Sequence, residues 1–248
     1  MDPDVCGATS VPLTCLSAIS AIPALTGLQA WSTGKHRLGT FAGGPVETSA
    51  SAYDAMVFWG DGTDSAAGVK NANVWVVLDT AGNPEVFGRH TYATPGLYTA
   101  TVVLWVAGQD AAEVVIPVSV AANVTDQVTT TSTTPTLNPA TGLYTASITF
   151  TNPAAAPGIT GQFDVLLAGL PSGVRLTSAT LSVGTAAYRG LTINRQDPKD
   201  PFVEIPAVDL NDLTSGESIT LNVTFKDPLG TPIIFGPGLF AAPMPPAG

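Results

Sequence analysis

The chain has 248 residues, room for one large or two ordinary domains. Only 11% of residues are charged against 45% hydrophobic, and 25 Gly and 21 Pro interrupt the chain often, a balance that argues against a helical protein and for short strands joined by turns. Nine basic against nineteen acidic residues give a net charge of −10, and no run of Lys or Arg could neutralise phosphates, which argues against a nucleic-acid partner.

Residues 1–23 form a leading segment that holds both cysteines, Cys6 and Cys15. Its start, MDPDV, carries acid where a secretory signal would carry positive charge, so Met1 reads as an added start on a mature fragment. Two thiols bracketing a short Ser/Thr/Pro loop would staple a segment with little core of its own, which makes Cys6 and Cys15 a candidate disulfide. No stretch reaches the ~20 apolar residues of a membrane span, so no membrane insertion is expected.

A first domain is expected over 24–121. LGTF at Leu38 to Phe41 and MVFW at Met56 to Trp59 lead toward the turn Gly60-Asp61-Gly62, and NVWVVLD at Asn73 to Asp79 follows as a strand. From Leu97 the run LYTATVVLWV alternates: Tyr98, Ala100, Val102, Leu104 and Val106 share one face, and Thr99, Thr101, Val103 and Trp105 share the other. AEVVIPVSV at Ala112 to Val120 closes the domain.

Val124 to Thr136 is Thr-rich and could pass for a linker. Thr is β-branched, however, and Val124, Asp126, Val128 and Thr130 keep one phase, so the segment is expected to be the edge strand of a second domain over 122–248, ended by Pro135 and Pro139. Further strands are predicted at Leu143 to Asn152, Phe163 to Leu170 and Ser218 to Phe225, separated by turn signals such as NPATG, LPSG and DPLG. Short strands at this spacing without a convincing helix predict an all-β chain of two consecutive immunoglobulin-like β-sandwich domains.

The ordered set GDG at Gly60 to Gly62, His90-Thr91-Tyr92 and Gly96-Leu97-Tyr98 resembles the polycystic kidney disease (PKD) repeat, an immunoglobulin-like sandwich of bacterial surface and secreted proteins. Where that family often has an aromatic-Asp-Phe run before GDG, here Met56-Val57-Phe58-Trp59 leads straight in. The second half, in SITFTN, LLAGLPSGVRL and LTSGESITLNVTFKDP, resembles an immunoglobulin-like domain at the C-termini of large bacterial extracellular proteins. The first resemblance implies that Trp59, Gly60, Asp61, Gly62, His90, Tyr92, Gly96 and Tyr98 are a structural motif.

Each polar residue in that set has a structural and a functional reading. Asp61 between two glycines suits an Asx turn; the rival is a calcium ligand with Asp54 and Asp64, though the dense acidic spacing of a calcium loop is missing. His90 has no nucleophile in sequence context and reads as a packing and hydrogen-bonding residue, while His36 between Lys35 and Arg37 reads as a solvated turn. Tyr98, after a Pro-Gly turn, is placed as a tyrosine corner. Trp105 points outward by alternation and, with Trp75, is the candidate contact surface, whereas Trp59 and Trp31 read as core. Asn123-Val124-Thr125 and Asn222-Val223-Thr224 fit the N-glycosylation triplet, which arises readily by chance in such a sequence.

The sequence therefore predicts a non-catalytic extracellular structural, adhesion or binding module of a bacterial cell-surface or secreted protein, with no cofactor and no metal. Its partners would be protein or polysaccharide surfaces, or further copies of itself. Two narrower roles stand beside it: a self-assembling fibre or surface-layer subunit, exchanging residues 1–24 or Ile233 to Phe240 with a neighbour's sheet edge, and a carbohydrate-binding accessory of a secreted hydrolase.

Overall fold

The computed structural model of the chain describes residues 16–19, 23–43, 47, 49–68, 73–106, 111–195, 197–207 and 210–243. Cys6 and Cys15, and with them the candidate disulfide, lie outside the described residues. Among the described residues, regular structure is almost wholly antiparallel strand, with two single-turn 3-10 helices at Ala50–Ala52 and Thr125–Gln127. The chain is an all-β protein of packed antiparallel sheets.

It divides into two compact units. The first comprises residues 1–27, 32–92 and 97–119; the second comprises 28–31, 93–96 and 120–248. The strand Ala112–Asn123 runs past the division, so its last four residues count in the second unit.

In the first unit one sheet orders Ser17–Ala18, His36–Ala42, Pro84–Gly88 and Val74–Leu78, and the other runs from Ala112–Asn123 through Gly96–Val106 and Tyr53–Phe58 to Asp64–Ala66. Alternation does the packing. Tyr53, Ala55 and Val57 are buried between exposed or half-buried neighbours, and Ala100, Val102, Leu104 and Val106 do the same on the partner strand, in register with Val57↔Val102 and Ala55↔Leu104. The opposite sheet adds Leu38, Phe41, Val74 and Val86, all buried. Gly88 shows how tightly these layers meet: a Cβ there would lie 2.5 Å from Leu38 Cδ1 and 2.9 Å from the Trp59 ring.

In the second unit a sheet orders Thr129–Ser132, Leu143–Thr151, Ser218–Lys226, Arg175–Val183 and Ala186–Tyr188. It faces a sheet of Thr192–Asn194, Phe202–Ile205, Gln162–Ala168 and Gly236–Ala242. One apolar cluster joins them, with Ile148, Phe150, Leu181, Leu221 and Phe225 from the first sheet and Phe163, Val165, Leu167, Val203 and Leu239 from the second. From Gly238 onward the strand Gly236–Ala242 is buried on both faces, because Phe240 and Ala242 join a smaller cluster with Leu28, Leu166 and Phe202 behind the sheet. A strand covered on both sides loses its apolar alternation, and this one went unread in the sequence for that reason.

Four expectations change in detail. The predicted strand from Val124 begins only at Thr129, because Thr125–Gln127 makes a 3-10 turn tied down by Thr125 Oγ1, which accepts from Leu239 N. Pro135 does interrupt the edge, but pairing resumes at Thr136–Asn138. His36 is no solvated turn. It begins the strand His36–Ala42 and its Nε2 lies 2.6 Å from the Thr33 carbonyl, with burial holding its pKa below the usual imidazole range against the opposing effect of that bond. The segment Ile233 to Phe240, expected to pair with a neighbour's sheet edge, is largely paired within the chain: Gly236–Ala242 pairs along Gln162–Ala168, and Phe240 and Ala241 pair with Asn123 and Ala122 on its other side.

Candidate functional site

The hairpin Tyr53–Phe58 to Asp64–Ala66 sets the GDG turn. Phe58 pairs with Asp64, and Trp59 N donates to Thr63 O across the mouth of the loop at 3.0 Å. The chain must then reverse over Gly60, Asp61 and Gly62, and both glycines take positive φ, +84° and +89°. Gly60 is doubly constrained, since a Cβ there would sit 2.5 Å from the Thr99 carbonyl oxygen.

Asp61 closes the turn from within. Its Oδ1 accepts from Thr63 N at 3.1 Å and from Thr63 Oγ1 at 2.6 Å, an Asx turn reinforced by the hydroxyl. Its Oδ2 lies 2.8 Å from His90 Nε2. Burial alone would raise the carboxyl, but the hydrogen bonds from the Thr63 hydroxyl, His90 and the Thr63 amide together outweigh it and hold Asp61 below the usual carboxylate range.

His90 arrives from the other sheet region, held by a backbone bond from Thr33 N to His90 O at 2.7 Å and by His90 N donating to the Thr33 hydroxyl at 3.0 Å. Its ring stacks on Trp59 with centroids 4.8 Å apart and planes 6° from parallel, and meets the edge of Tyr92 at 4.5 Å. The Tyr92 ring in turn stacks on Tyr98 at 4.8 Å. Beneath the column, the Tyr92 hydroxyl donates to the Trp59 carbonyl at 3.1 Å and Trp59 Nε1 donates to Ser65 Oγ at 3.1 Å. Burial, with the Asp61 charge and Tyr98 nearby, pushes the Tyr92 phenol far up, so it remains a donor.

Thus Trp59, Gly60, Asp61, Gly62, His90, Tyr92 and Tyr98 meet in one cluster, and Gly96 opens the strand that carries Tyr98. The Tyr92 hydroxyl makes a bond to backbone of the kind expected of a tyrosine corner. Sequence reasoning missed Thr33, Thr63 and Ser65. Thr33 is buried and lies 57 residues from His90, and nothing local marks it.

An acid, an imidazole and a hydroxyl in contact invite comparison with a catalytic relay, and the geometry argues against one. A relay uses one imidazole nitrogen toward the nucleophile and the other toward the acid. Here the same nitrogen, His90 Nε2, faces Asp61 Oδ2 at 2.8 Å and Thr63 Oγ1 at 3.4 Å, while the Thr63 proton is committed to Asp61 Oδ1. Calcium would find both Asp61 oxygens engaged, and among the described residues no group of three or more His, Cys, Asp or Glu could hold a metal.

The two candidate contact tryptophans are half-buried. Trp105 does project opposite to Leu104 and Val106, and pairs in register with Asp54. Trp75 stacks on Phe87 with centroids 6.2 Å apart, and Lys35 Nζ caps both rings at 5.3 and 4.5 Å. Trp31 is half-buried against the Leu28–Phe240 cluster.

No protein-family model and no curated protein sequence matches the chain. Among solved structures it is similar to the full-length major pilin SpaD from Corynebacterium diphtheriae, at 10% identity and a TM-score of 0.33 over 86% of this chain and 58% of that one. It is also similar to a carbohydrate-binding module of the β-sandwich superfamily, at 10% identity and a TM-score of 0.28 over 93% of this chain and 96% of that one. A third is the collagen-binding domain of the Erysipelothrix rhusiopathiae surface protein RspB, at 8% identity and a TM-score of 0.27 over 86% of this chain and 82% of that one. The chain thus spans 58% of the pilin's length, and at these identities and TM-scores the likenesses carry nothing about what it binds.

Proposed function

We propose that the chain is a non-catalytic structural and binding module of an extracellular or cell-surface bacterial protein, with domains over 24–121, like a PKD repeat, and 122–248. The observation that carries this reading is the closure of the Asp61–His90 cluster: the acid is bonded to the imidazole and to Thr63, the phenol to the Trp59 carbonyl, and the His90 amide to Thr33, which suits a fold-holding role. A net charge of −10 with few cations fits a protein that resists non-specific adhesion. Of the narrower roles, pairing of Ile233 to Phe240 with a neighbour's sheet edge is disfavoured, because Gly236 to Phe240 already pairs along Gln162–Ala168 and Phe240 also pairs with Asn123.

The test separates stability from binding. Asp61→Asn and His90→Gln should each lower the urea midpoint of unfolding, while the folded variants adhere to immobilised extracellular polymers as the parent does. Lost adhesion at unchanged stability would show that the cluster is a working site and overturn the reading.

A further inference from the structure

The outer face of the Thr129–Ser132 to Ala186–Tyr188 sheet is built of hydroxyls. Ile148, Phe150, Leu221 and Val223 point into the core, so their alternating neighbours point out. Three cross-strand pairs of those neighbours are bonded to each other: Ser147 Oγ donates to Asn222 Oδ1 at 2.6 Å, Thr149 and Thr220 hydroxyls lie 2.9 Å apart, and Thr151 and Ser218 hydroxyls 2.7 Å apart. The next strand extends the rows in register, with Thr180 opposite Asn222 and Ser178 opposite Thr224. Sheet geometry spaces such rows by ~4.8 Å across strands and roughly 6.7 Å along them.

The face is concave at one end. The segment Thr133–Thr136 rises beside it, fastened by Thr133 N to Ser147 O at 2.9 Å and Ser147 N to Thr133 Oγ1 at 2.9 Å. Between this wall and the strand Arg175–Val183 lies a trough of about 430 Å³, within the range of small-molecule sites. Its lining is Thr, Ser and Asn with Ala146 and Val223, and it contains neither a charged nor an aromatic side chain.

That chemistry selects its occupant. An anion would find no cation in the lining and a cation no carboxylate. An apolar peptide side chain would cover hydroxyls without replacing their water and leave them unpaired. A polymer dense in neutral donors and acceptors meets each hydroxyl's remaining capacity, since a Ser or Thr hydroxyl can donate once and accept twice. We propose that this trough binds a segment of a neutral polysaccharide chain. The inference rests on the binding-module reading and moves the contact site from Trp75 and Trp105 to Thr145, Thr180, Asn222 and Thr224.

The full chain is titrated by calorimetry with laminarin, xylan, mannan and dextran, and with heparin and alginate as charged polymers. Two variants probe the trough: the near-isosteric Thr180→Val/Thr224→Val, which removes hydroxyls, and Ser178→Tyr, which fills the space from an exposed position. At least one neutral polymer is expected to bind, heparin and alginate not to, and both variants to weaken binding at least tenfold with unchanged circular dichroism. Binding to none of the four neutral polymers, binding unchanged in both variants, or competition by alginate overturns the trough. Binding that survives both variants but is lost in Trp75→Ala or Trp105→Ala also overturns it, while leaving the binding-module reading standing.

Discussion

Gly60→Ala and Gly62→Ala form a matched pair, two residues apart in one loop with nearly equal φ of +84° and +89°. An alanine at either position meets the penalty for a left-handed L-residue, about 1–2 kcal/mol. Only at Gly60 does the new methyl collide with anything: Thr99 O at 2.5 Å and Thr99 N at 3.0 Å, against open space at Gly62. Thr99 lies within the strand Gly96–Val106, so relief requires moving a strand, and overpacking of that kind adds roughly 1–3 kcal/mol. Gly62→Ala should therefore cost about 1–2 kcal/mol and Gly60→Ala about 2–5 kcal/mol. Urea unfolding followed by tryptophan fluorescence measures both, with the Trp59–His90 stack as the local reporter. Equal costs for the two variants, or a larger one at Gly62, would refute the argument from close approach.

Tyr92→Phe removes the donor to the Trp59 carbonyl and should destabilise by about 1–3 kcal/mol in the same assay. Two carboxyls should respond to pH with opposite sign. Asp61 is held low in the folded state, so its contribution is present above its unfolded pKa and lost as pH falls through its folded one; Asp61→Asn should cost about 1–3 kcal/mol at pH 7 and progressively less in acid. Asp164 is buried with neither carboxylate oxygen bonded and Glu204 opposite it, and burial followed by the Glu204 charge holds it well above the usual range. Asp164's contribution is fully present below its unfolded pKa and lost as pH rises through the folded one, so Asp164→Asn should raise stability relative to the parent at pH 8 and change it little at pH 4. Urea midpoints at pH 4, 7 and 8 check both signs. Adding calcium or a chelator should leave the melting temperature unchanged, because the Asp61 oxygens are engaged by Thr63 and His90.

Strands with one wet face were legible. Leu97 to Val106, Leu143 to Asn152 and Ser218 to Phe225 were read by alternation and appear as Gly96–Val106, Leu143–Thr151 and Ser218–Lys226. Pro84–Gly88 and Arg175–Val183 went unread: the first opens on Pro, and the second carries a bulge between Leu176 and Ser178 that breaks its phase. At the cluster the participants were legible as residues and their contacts were not. His90 was placed as a hydrogen-bonding residue, but its partners Asp61 and Thr33 lie 29 and 57 positions away.

Period-two patterning, turn glycines and the scarcity of charge are local properties, and they sufficed to make this an all-β chain with GDG as a turn. That Tyr92 bonds the Trp59 carbonyl, that the C-terminal strand meets a second strand at Phe240 and Ala241, and that Thr145, Thr180, Asn222 and Thr224 line one trough depend on register between strands far apart in sequence. Alternation decides which side chains face outward along each strand. Only the closing of the sheet decides which of them become neighbours.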